Sequence, residues 1–360
     1  MMTDVVLQDM EEIYARNYEW DRFEGKSFLI SGAYGMLASY MVFFLLYLSE
    51  YKNINSEIYL QGRNPKKAGR RFGEYLDKEY VHLICEDILS GQEGNIPCVN
   101  YIVHAAGIAN PRLYAINPVE VIEPNVSGTY HLLQNCKRYN LEGFLLFSSG
   151  DVYGKGSDAG DISEESYGII DPLDLHSCYG ESKRMAETMC SAFYREYGIR
   201  TVIARIGHTY GPTMDIENDP RVFACFMKSA LYGEDIVIHS DGLAKRPFCY
   251  ISDAVAGYFL LLLKGKSGEA YNVTNTNQFL SIREVAKIIA NIPEPPVNVT
   301  WRKRDKLDTY LADSVNHENK PVENKMYNLG WNNPVDVREG FTRVYRHFRL
   351  FSGKYPKLRL

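Results

Sequence analysis

Tyr179 and Lys183 are the residues of this 360-residue chain whose types and spacing most directly suggest catalysis. On a helix, positions four apart share one face. The charge of a lysine on that face lowers the pKa of the phenol, which can then exchange a proton near neutral pH. With 27 tyrosines in the chain, this spacing also arises by chance. The position of the pair nevertheless favours a catalytic role, because the pair opens a predicted helix over 179–197, between the fifth and sixth predicted strands.

A turn with two glycines, Gly32-Ala33-Tyr34-Gly35-Met36-Leu37-Ala38, follows the first predicted strand and opens a helix over 36–50. Small residues let the backbone turn tightly and approach a pyrophosphate, which then lies at the helix N-terminus. The turn therefore predicts a dinucleotide site.

The end of the second predicted strand lacks the carboxylate that would bind the adenosine ribose of NAD. Its residues are Gln61, Gly62, Arg63 and Asn64. Arg63 can hold the 2′-phosphate of NADP, or it can belong to a solvated basic loop. Asp87, after the third strand, is a candidate for the adenine edge.

A hydroxyl and a carboxylate, Ser149 and Asp151, leave the end of the fifth predicted strand. Ligands of open α/β sheets bind at the carboxyl ends of the strands, where such groups polarise bonds and shuttle protons. Taken alone, the stretch 148–154 is more typical of a polar turn.

Short apolar strands alternate with helical stretches in the first half of the chain. They are predicted at 28–30, 57–60, 81–85, 101–104, 144–147 and 201–204. This alternation is typical of a parallel sheet covered on both faces. The sequence therefore predicts an α/β fold, a Rossmann-type doubly wound parallel sheet with a smaller C-terminal α/β substrate domain.

Changes in pattern divide the chain into three parts. We expect an N-terminal leader over 1–25, helical around Met10, Ile13 and Tyr14. The dinucleotide-binding domain is expected over 26–205, with 248–275 returning to it. The substrate domain is expected over 206–247 and 276–360.

Three local predictions complete this outline. Residues 118–139 are expected to form one helix, and residues 206–245 are expected to be rich in loops. An apolar helix over 252–264 is expected to be capped by Ser252 or Asp253.

Composition excludes several classes of protein. A chain with 45% hydrophobic and 24% charged residues is ordinary for a folded domain. The net charge is −5 without a basic block, which argues against a nucleic-acid partner. The seven cysteines form no CxxC pair, so we expect free thiols, no metal and a cytoplasmic location. The apolar run 40–48 is too short to cross a membrane.

Together these residues resemble the extended short-chain dehydrogenase/reductases, the NAD-dependent epimerase/dehydratase family that modifies nucleotide sugars. The resemblance covers about residues 26–347. The matching stretches are GAYGMLA (32–38), VHAAGIANP (103–111), NVSGT (125–129), SSGDVYG (148–154), YGESK (179–183), RIGHTYGP (205–212), RPFCYISDA (246–254), AYNVT (270–274) and LGW (329–331). Four further stretches look most similar to UDP-glucuronate decarboxylases: ANPRLYAINP (109–118), CYGESKRMAETMC (178–190), YGPTM (210–214) and NDPRV (218–222).

The resemblance implies a role for individual residues. Tyr179 and Lys183 would be the catalytic base couple, Ser149 would hold the C4 hydroxyl, and Asp151 would stand where the decarboxylases carry a glutamate. The implied cofactor contacts lie along the carboxyl edge of the sheet: Gly32, Tyr34, Gly35, Met36, Leu37, Arg63, Asp87, Ile88, Ala105, Ala106, Gly107, Asn125, Tyr179 and Lys183. The implied substrate contacts are Pro111, Arg112, Tyr114, His208, Arg221 and Arg246.

Three departures from the family pattern bear on the reaction. Gly150 stands where the 4,6-dehydratases place an acid, which argues against dehydration. Asp151 is one methylene shorter than the decarboxylase glutamate. His208 replaces the usual asparagine that faces the nucleotide sugar.

The resemblance implies hydride transfer between NAD and C4 of a nucleotide sugar, followed in a uronic acid by loss of carbon dioxide. The expected enzyme is a lyase of polysaccharide biosynthesis that recycles its NAD and acts as a homodimer. Two alternatives stay open: an epimerase, and an oxidoreductase that uses NADPH to reduce a nucleotide-activated keto sugar, for example one linked to CDP. NADP is the alternative cofactor.

Overall fold

A large parallel sheet is the centre of the chain, and its strands end on one common edge. The computed structural model describes residues 2–90, 96–154, 161–302, 320–321 and 325–351. In chain order, the strands are β1 (Lys26–Ser31), β2 (Ser56–Gln61), β3 (Val81–Ile84), β4 (Tyr101–His104), β5 (Gly143–Ser149), β6 (Asp161–Ile162), β7 (Thr201–Ile206), β8 (His208–Tyr210), β9 (Ile236–Ile238), β10 (Lys245–Tyr250), β11 (Glu269–Val273), β12 (Phe279–Ser281), β13 (Val299–Trp301) and β14 (Lys320–Pro321).

Seven of these strands form the parallel sheet, in the order β11-β7-β5-β4-β1-β2-β3. Strands such as β4 and β5 are buried almost throughout, as expected where helices cover both faces. The α/β prediction is confirmed. The strand order reverses between β1 and β4, which makes this point of the carboxyl edge the expected ligand crevice.

The helices lie on both sides of this sheet and beyond its carboxyl edge. They are α1 (Asp4–Tyr14), α2 (Met36–Lys52), α3 (Pro65–Phe72), α4 (Pro111–Ile116), α5 (Pro118–Glu123), α6 (Thr129–Cys136), α7 (Ser177–Tyr197), α8 (Val222–Tyr232), α9 (Ile251–Lys264), α10 (Ile282–Ala290), α11 (Lys325–Asn328) and α12 (Val337–Arg349). Helix α2 is buried over Ala38–Leu48, so its apolar run belongs to the core.

Smaller sheets form beyond β7. Strands β12, β10 and β8 make one sheet, β13 pairs with β9, and β14 pairs with β6. The prediction of a loop-rich stretch over 206–245 is wrong for much of its length, because it contains β8, α8 and β9. The apolar side chains of α8, among them Phe223 and Phe226, are buried against α10 and α12, which the local sequence pattern does not reveal.

The single helix predicted over 118–139 is divided into α5, a π-helical turn over Pro124–Gly128, and α6. Proline has no N–H to donate to the preceding turn, and the wider π turn accommodates this loss. The turn also places Asn125 inside the molecule.

The N-terminal segment is helical, as predicted, since α1 contains Met10, Ile13 and Tyr14. The predicted cap of α9 is wrong. This helix begins at Ile251 after Tyr250, and no side chain caps it. The Asp253 carboxylate instead accepts a hydrogen bond from the Val335 N–H and pairs with Arg16.

Within the described ranges, no helix is both long and apolar enough to cross a bilayer. The same ranges contain no cluster of three or more histidine, cysteine or acidic side chains arranged to bind a metal.

Candidate active site

The predicted dinucleotide turn joins β1 to α2 and is held tightly against the next loop. Gly32 has φ +64°, and a Cβ built on it would lie 2.7 Å from the Ala106 Cα. Only glycine fits this backbone conformation and this approach. Gly35 is the N-cap residue of α2 with φ −68°, so it leaves the helix N-terminus open without a strained backbone.

The side chains around this turn shape its outer wall. Tyr34 is buried and lies over Gly62, where a Cβ would come within 2.4 Å of the tyrosine ring. Met36 and Leu37 are half-buried in the first turn of α2. These positions bring the turn, the end of β2 and the first residues of α2 together.

A buried serine fixes the neighbouring loop. The Ser31 Oγ accepts hydrogen bonds from the N–H groups of Ala105 and Ala106, both at 3.2 Å, and lies 2.8 Å from the His104 Nδ1. Burial lowers the pKa of His104 to about 3, so its ring is neutral. Ala105 and Ala106 are therefore held beside Gly32 before any ligand binds.

Tyr179, Lys183 and Ser149 meet where α7 begins above the end of β5. Tyr179 and Lys183 are buried, and the Ser149 hydroxyl makes a hydrogen bond to the Tyr179 phenol. The Lys183 ammonium donates to the Phe147 carbonyl at 2.6 Å and lies 5.7 Å from the centre of the Tyr179 ring. The structure brings this predicted trio together.

The expected lowering of the tyrosine pKa by lysine is wrong for this state of the protein. Burial and the charge of Asp151 raise the pKa of Tyr179, and the Ser149 hydrogen bond and the charge of Arg221 offset this only in part. Burial also lowers the pKa of Lys183 to about 8, which weakens its charge. Desolvation outweighs charge attraction here.

Asn125 contributes an unpaired polar atom next to the lysine. Its amide Nδ2 donates to the Val121 carbonyl and to the Ser182 hydroxyl, at 3.0 and 2.9 Å. Its Oδ1 is buried without a hydrogen-bond partner among the described residues. A Cβ at Gly107 would lie 2.9 Å from this oxygen and 3.6 Å from the Lys183 Nζ, so both atoms face the surface that Gly107 leaves bare.

Asp151 lies in a short 3₁₀ segment, Gly150–Tyr153, at the cleft floor. The carboxyl is accessible from the cleft, yet the surrounding protein removes enough water to raise its pKa, and the charge of Arg246 offsets this only in part. A carboxyl of this kind can hold a proton.

Three nitrogen-bearing side chains face the same space. Burial, followed by the charges of Arg246 and Arg221, lowers the pKa of His208 to about 3, so the imidazole is neutral. Arg221 is held by Asp219 through bonds of 2.9 and 2.5 Å, and also donates to the Thr209 carbonyl. Arg246 donates to the Lys245 carbonyl at 2.7 Å. The predicted substrate residues His208 on β8, Arg221 just before α8 and Arg246 on β10 are therefore close enough for the two arginine charges to act on His208.

Helix α4 supplies the remaining predicted substrate residues. The Tyr114 ring stacks on the Tyr179 ring, with centroids 5.0 Å apart and planes at 15°. Pro111 and Arg112 occupy the first turn of α4, where Arg112 is exposed. Tyr114 thus contacts the phenol ring directly, while Arg112 lies at the outer end of the same helix.

The adenosine end of the predicted site lies beside β2 and β3. The Arg63 guanidinium lies 3.3 Å from the Asp87 carboxylate, and both side chains are accessible to solvent. Ile88 packs against Gly128, where a Cβ would come within 3.2 Å of the isoleucine. Arg63 and Asp87 are therefore adjacent, and Ile88 follows Asp87 in the chain.

Three residues that the sequence analysis did not single out support this site. Gly180 lets α7 approach the 3₁₀ segment Gly150–Tyr153, since a Cβ there would lie 3.0 Å from the Asp151 carbonyl. The Ser182 hydroxyl accepts from Asn125. Glu187 binds both Ser148 and Arg205. Gln61, which the sequence analysis placed at the end of the second strand, has a buried amide. Periodicity on α7 could have revealed Glu187, which lies one turn after Lys183.

The arrangement fits NAD on its own geometry. Gly32 and Gly35 leave the backbone open at the N-terminus of α2, where a pyrophosphate binds. The unpaired buried oxygen of Asn125 lies at the predicted nicotinamide end, and that of Gln61 lies at the adenosine end. Buried polar atoms usually have partners, so these two oxygens mark places for a ligand.

Comparison with known proteins agrees with this geometry. The model of the NAD dependent epimerase/dehydratase family matches residues 28–274. The chain therefore belongs to the NAD-dependent epimerase/dehydratase family. The predicted family, the enzyme class and the NAD dependence are confirmed.

Among the relatives is UDP-glucuronic acid decarboxylase 5 of Arabidopsis thaliana, 33% identical over 90% of this chain and 90% of the relative. UDP-glucuronic acid decarboxylase 1 of Xenopus tropicalis is 28% identical over 95% of this chain and 78% of the relative. The solved UDP-glucuronic acid 4-epimerase of Bacillus cereus, in complex with NAD, has a TM-score of 0.74 at 22% identity and covers 90% of this chain and 99% of its own. The last likeness supports the fold alone.

Proposed function

We propose that this protein is a UDP-glucuronate decarboxylase that forms a UDP-pentose and carbon dioxide. The observation that carries the proposal is the meeting of Tyr179, Ser149 and Asp151 in one cleft, with Arg246 close enough to act on the charge of Asp151. The decarboxylase relatives add support, because they match nearly the whole length of the chain. The proposed division into a dinucleotide-binding domain over 26–205 and a substrate domain over 206–247 and 276–360 places this cleft between the two.

The reaction begins at C4 of the glucuronate. Ser149 orients the C4 hydroxyl, and Tyr179 is the group placed to take its proton and to return it to the C4 oxygen when the ketone is reduced, although burial disfavours the charged phenolate. A bound NAD would supply the reversible hydride transfer at C4. Lys183 would hold the nicotinamide ribose.

The C4 ketone lies β to the carboxylate, so the electrons of the breaking C5–C6 bond flow into an enolate. A proton then adds to C5, and Asp151 is the group placed in the cleft to deliver it, while burial raises the pKa of its carboxyl. Arg246 supplies a counter-charge to the carboxylate of the substrate. The sum is UDP-glucuronate plus one proton giving the UDP-pentose plus carbon dioxide.

The test is incubation of the purified protein with UDP-glucuronate, followed by NMR of the sugar nucleotide and by measurement of carbon dioxide. We expect a UDP-pentose and equimolar carbon dioxide, with no net change in nicotinamide absorbance. UDP-galacturonate without carbon dioxide would identify an epimerase. Stoichiometric loss of NADPH with a nucleotide-linked ketone would identify a reductase. Tyr179→Phe is the matched inactive control.

We further propose that the enzyme works as a homodimer in the cytoplasm, in polysaccharide biosynthesis. Helix α5 packs on α7 and exposes Val119 and Ile122, and α7 exposes Met185 nearby. An apolar surface of this kind suits a second copy of the same chain. All seven cysteines are free, which agrees with a reducing compartment. Light scattering of Val119→Glu against wild type tests the dimer, and an unchanged mass would contradict this surface.

A further inference from the structure

Glu187 lies on α7 one turn after Lys183 and takes no part in the proposed reaction. Its carboxylate is largely buried, with 12% of the side chain exposed. It accepts a hydrogen bond from the Ser148 hydroxyl at 2.5 Å and pairs with the Arg205 guanidinium through bonds of 3.0 and 2.8 Å. A buried charge is costly unless it is paired, so these contacts hold the carboxylate in one position.

Three side chains on one face of α7 contact three successive residues of β5. Residues four apart on a helix share a face. The three contacts are Tyr179 with the Ser149 hydroxyl, Lys183 with the Phe147 carbonyl at 2.6 Å, and Glu187 with the Ser148 hydroxyl. The first two belong to the proposed reaction. Because Ser148 stands between Phe147 and Ser149, the third contact limits how far both neighbours can move away from α7.

Arg205 holds Glu187 from the neighbouring strand. It lies on β7 at the position that pairs with Ser148 of β5, so one carboxylate binds two adjacent strands at the same level of the sheet. The guanidinium also donates to the Tyr153 hydroxyl at 3.1 Å and to the Glu164 carbonyl at 2.9 Å. These further bonds fix the guanidinium, and the bidentate pair then fixes the plane of the Glu187 carboxylate.

Glu187 also acts on the charge of Lys183. Burial lowers the pKa of the Lys183 ammonium to about 8, and the charge of Glu187 opposes this. Other titratable groups in this part of the cleft are the Tyr179 phenol, the Cys190 thiol, the His104 imidazole, the Asp151 carboxyl and the Arg205 guanidinium.

Burial makes three of these groups neutral near neutral pH. It raises the pKa of the Tyr179 phenol and of the Cys190 thiol, and it lowers the pKa of the His104 imidazole to about 3. The Asp151 carboxyl acts on the phenol, and the Arg205 charge is paired with Glu187. The Glu187 carboxylate therefore supplies the charge that favours the ammonium form of the lysine.

We propose that Glu187 is a positioning residue of this active site, which holds the end of β5 against α7 and keeps Lys183 charged. Both carboxylate oxygens are occupied by Ser148 and Arg205, so Glu187 acts through its neighbours. Its effect therefore falls on the chemical step and not on the affinity for the sugar nucleotide. The proposal rests on the proposed roles of Tyr179 and Lys183, and not on which product the enzyme forms.

Ser148→Ala removes the contact to β5 and leaves the pair of Glu187 with Arg205 in place. We expect kcat for the consumption of UDP-glucuronate, followed by NMR, to fall by about 10- to 100-fold, because small displacements of reacting groups have effects of this size. KM should stay within about twofold of wild type. The basic limb of the kcat–pH profile should keep its position, since the charge of Glu187 is retained.

Two substitutions of Glu187 separate its charge from its reach. Glu187→Gln keeps the length and an acceptor for Ser148 but removes the charge. It should move the basic limb of the profile to lower pH by about one unit, because Lys183 then loses its proton more readily. Glu187→Asp keeps the charge but is one methylene shorter. It should lower kcat as Ser148→Ala does and leave the basic limb in place.

The matched control is Glu196→Gln, which removes the same charge from the exposed end of the same helix. It should leave kcat, KM and the pH profile unchanged.

Calorimetry of NAD binding, on protein freed of bound nucleotide, repeats the charge test without any sugar. Binding should weaken as Lys183 loses its proton, near pH 8 in the wild type and about one unit lower in Glu187→Gln. A wild type that leaves UDP-glucuronate unchanged would contradict the proposed reaction, and calorimetry would still decide on Glu187.

Two results would overturn the proposal. One is a folded Ser148→Ala that keeps kcat within about twofold of wild type. The other is a folded Glu187→Gln whose pH dependence matches that of the wild type, both in turnover and in NAD binding. A purely structural role of the pair with Arg205 predicts these two results, with only the urea midpoint lowered. If circular dichroism shows that Glu187→Gln does not fold, Ser148→Ala decides, because it leaves the buried pair intact.

Discussion

Two buried polar regions of this protein are built in opposite ways. In the N-terminal anchor, which consists of α1, the Asp9 carboxylate is fully buried and accepts hydrogen bonds from Tyr40, Tyr250 and Arg343. In the cleft, the buried oxygens of Asn125 and Gln61 have no partner among the described residues. Asp9 therefore stabilises the fold through its partners, whereas the oxygens of Asn125 and Gln61 keep an acceptor free at the proposed cofactor site.

The anchor joins parts of the chain that are far apart in sequence. Asp9 accepts from Tyr40 of α2, Tyr250 at the end of β10 and Arg343 of α12. Arg343 also binds Glu12 and Glu339, so one guanidinium faces three carboxylates. α1 thereby connects the helix that carries the dinucleotide turn to the strand that carries Arg246.

The largest expected effect is the loss of turnover caused by a substitution in the cleft. Tyr179→Phe should lower kcat by about 1,000-fold or more, or at least 4 kcal/mol of barrier, because only the proton-accepting oxygen is lost. The phenylalanine ring can keep its stacking on Tyr114, so the urea midpoint and NAD binding should stay close to wild type. Turnover within about tenfold of wild type, near 1.4 kcal/mol, would remove Tyr179 from the mechanism.

The second-largest effect is expected from a substitution that removes the buried carboxylate of the anchor. Asp9→Ala leaves Arg343, Tyr40 and Tyr250 without their shared acceptor, and should lower the free energy of unfolding by about 3–5 kcal/mol. Urea denaturation measures this loss. Asp4→Ala, in the exposed first turn of the same helix, is the control and should change stability by less than about 1 kcal/mol. Equal losses of unfolding free energy in the two variants would show that the buried network stabilises the fold no more than an exposed helix residue does.

The third-largest effect is expected from a substitution that fills the space at the N-terminus of α2. Gly35→Val should weaken NAD binding by about 100-fold, since its side chain occupies the space of the pyrophosphate. The native φ of −68° suits valine, and a Cβ would lie 3.2 Å from the Gly32 carbonyl oxygen, which requires only a small adjustment. The fold should therefore survive. Unchanged NAD binding, measured by calorimetry in the folded variant, would show that the cofactor does not bind at this turn.

The smallest effect is a pH dependence of the anchor. Burial raises the pKa of Asp9 from 3.8 to about 6, because it outweighs the hydrogen bonds of the tyrosines and the charge of Arg343. The folded state thus keeps this proton to a higher pH than the unfolded chain does. The stability that protonation contributes is complete below pH 3.8 and is lost as the pH rises through about 6.

Asp9→Asn cannot titrate and isolates this contribution. The free energy of unfolding of the wild type minus that of Asp9→Asn should fall by about 1 kcal/mol per pH unit across this window. Urea denaturation at several pH values measures the difference. A difference that rises with pH would mean that the charge of Arg343 outweighs burial at Asp9.

The sequence was most informative where function depends on local backbone. The turn Gly32–Ala38, the strand ends that carry Ser149 and Asp87, and the spacing of Tyr179 and Lys183 could all be read along the chain, because each follows from a short pattern at the end of a predicted strand. The division of the 118–139 helix at Pro124 was less visible, since proline there is compatible with several helix breaks.

The sequence by itself determined the α/β class, the dinucleotide turn and the family, because glycine positions and strand periodicity act over a few residues. Only the tertiary structure decided the partners of buried charges, which come from distant parts of the chain. Asp253 was expected to cap a helix and instead pairs with Arg16, 237 residues away. Lys183 was expected to lower the pKa of Tyr179, and burial raises it instead. Desolvation depends on every atom that surrounds a group, so no local pattern could have predicted either outcome.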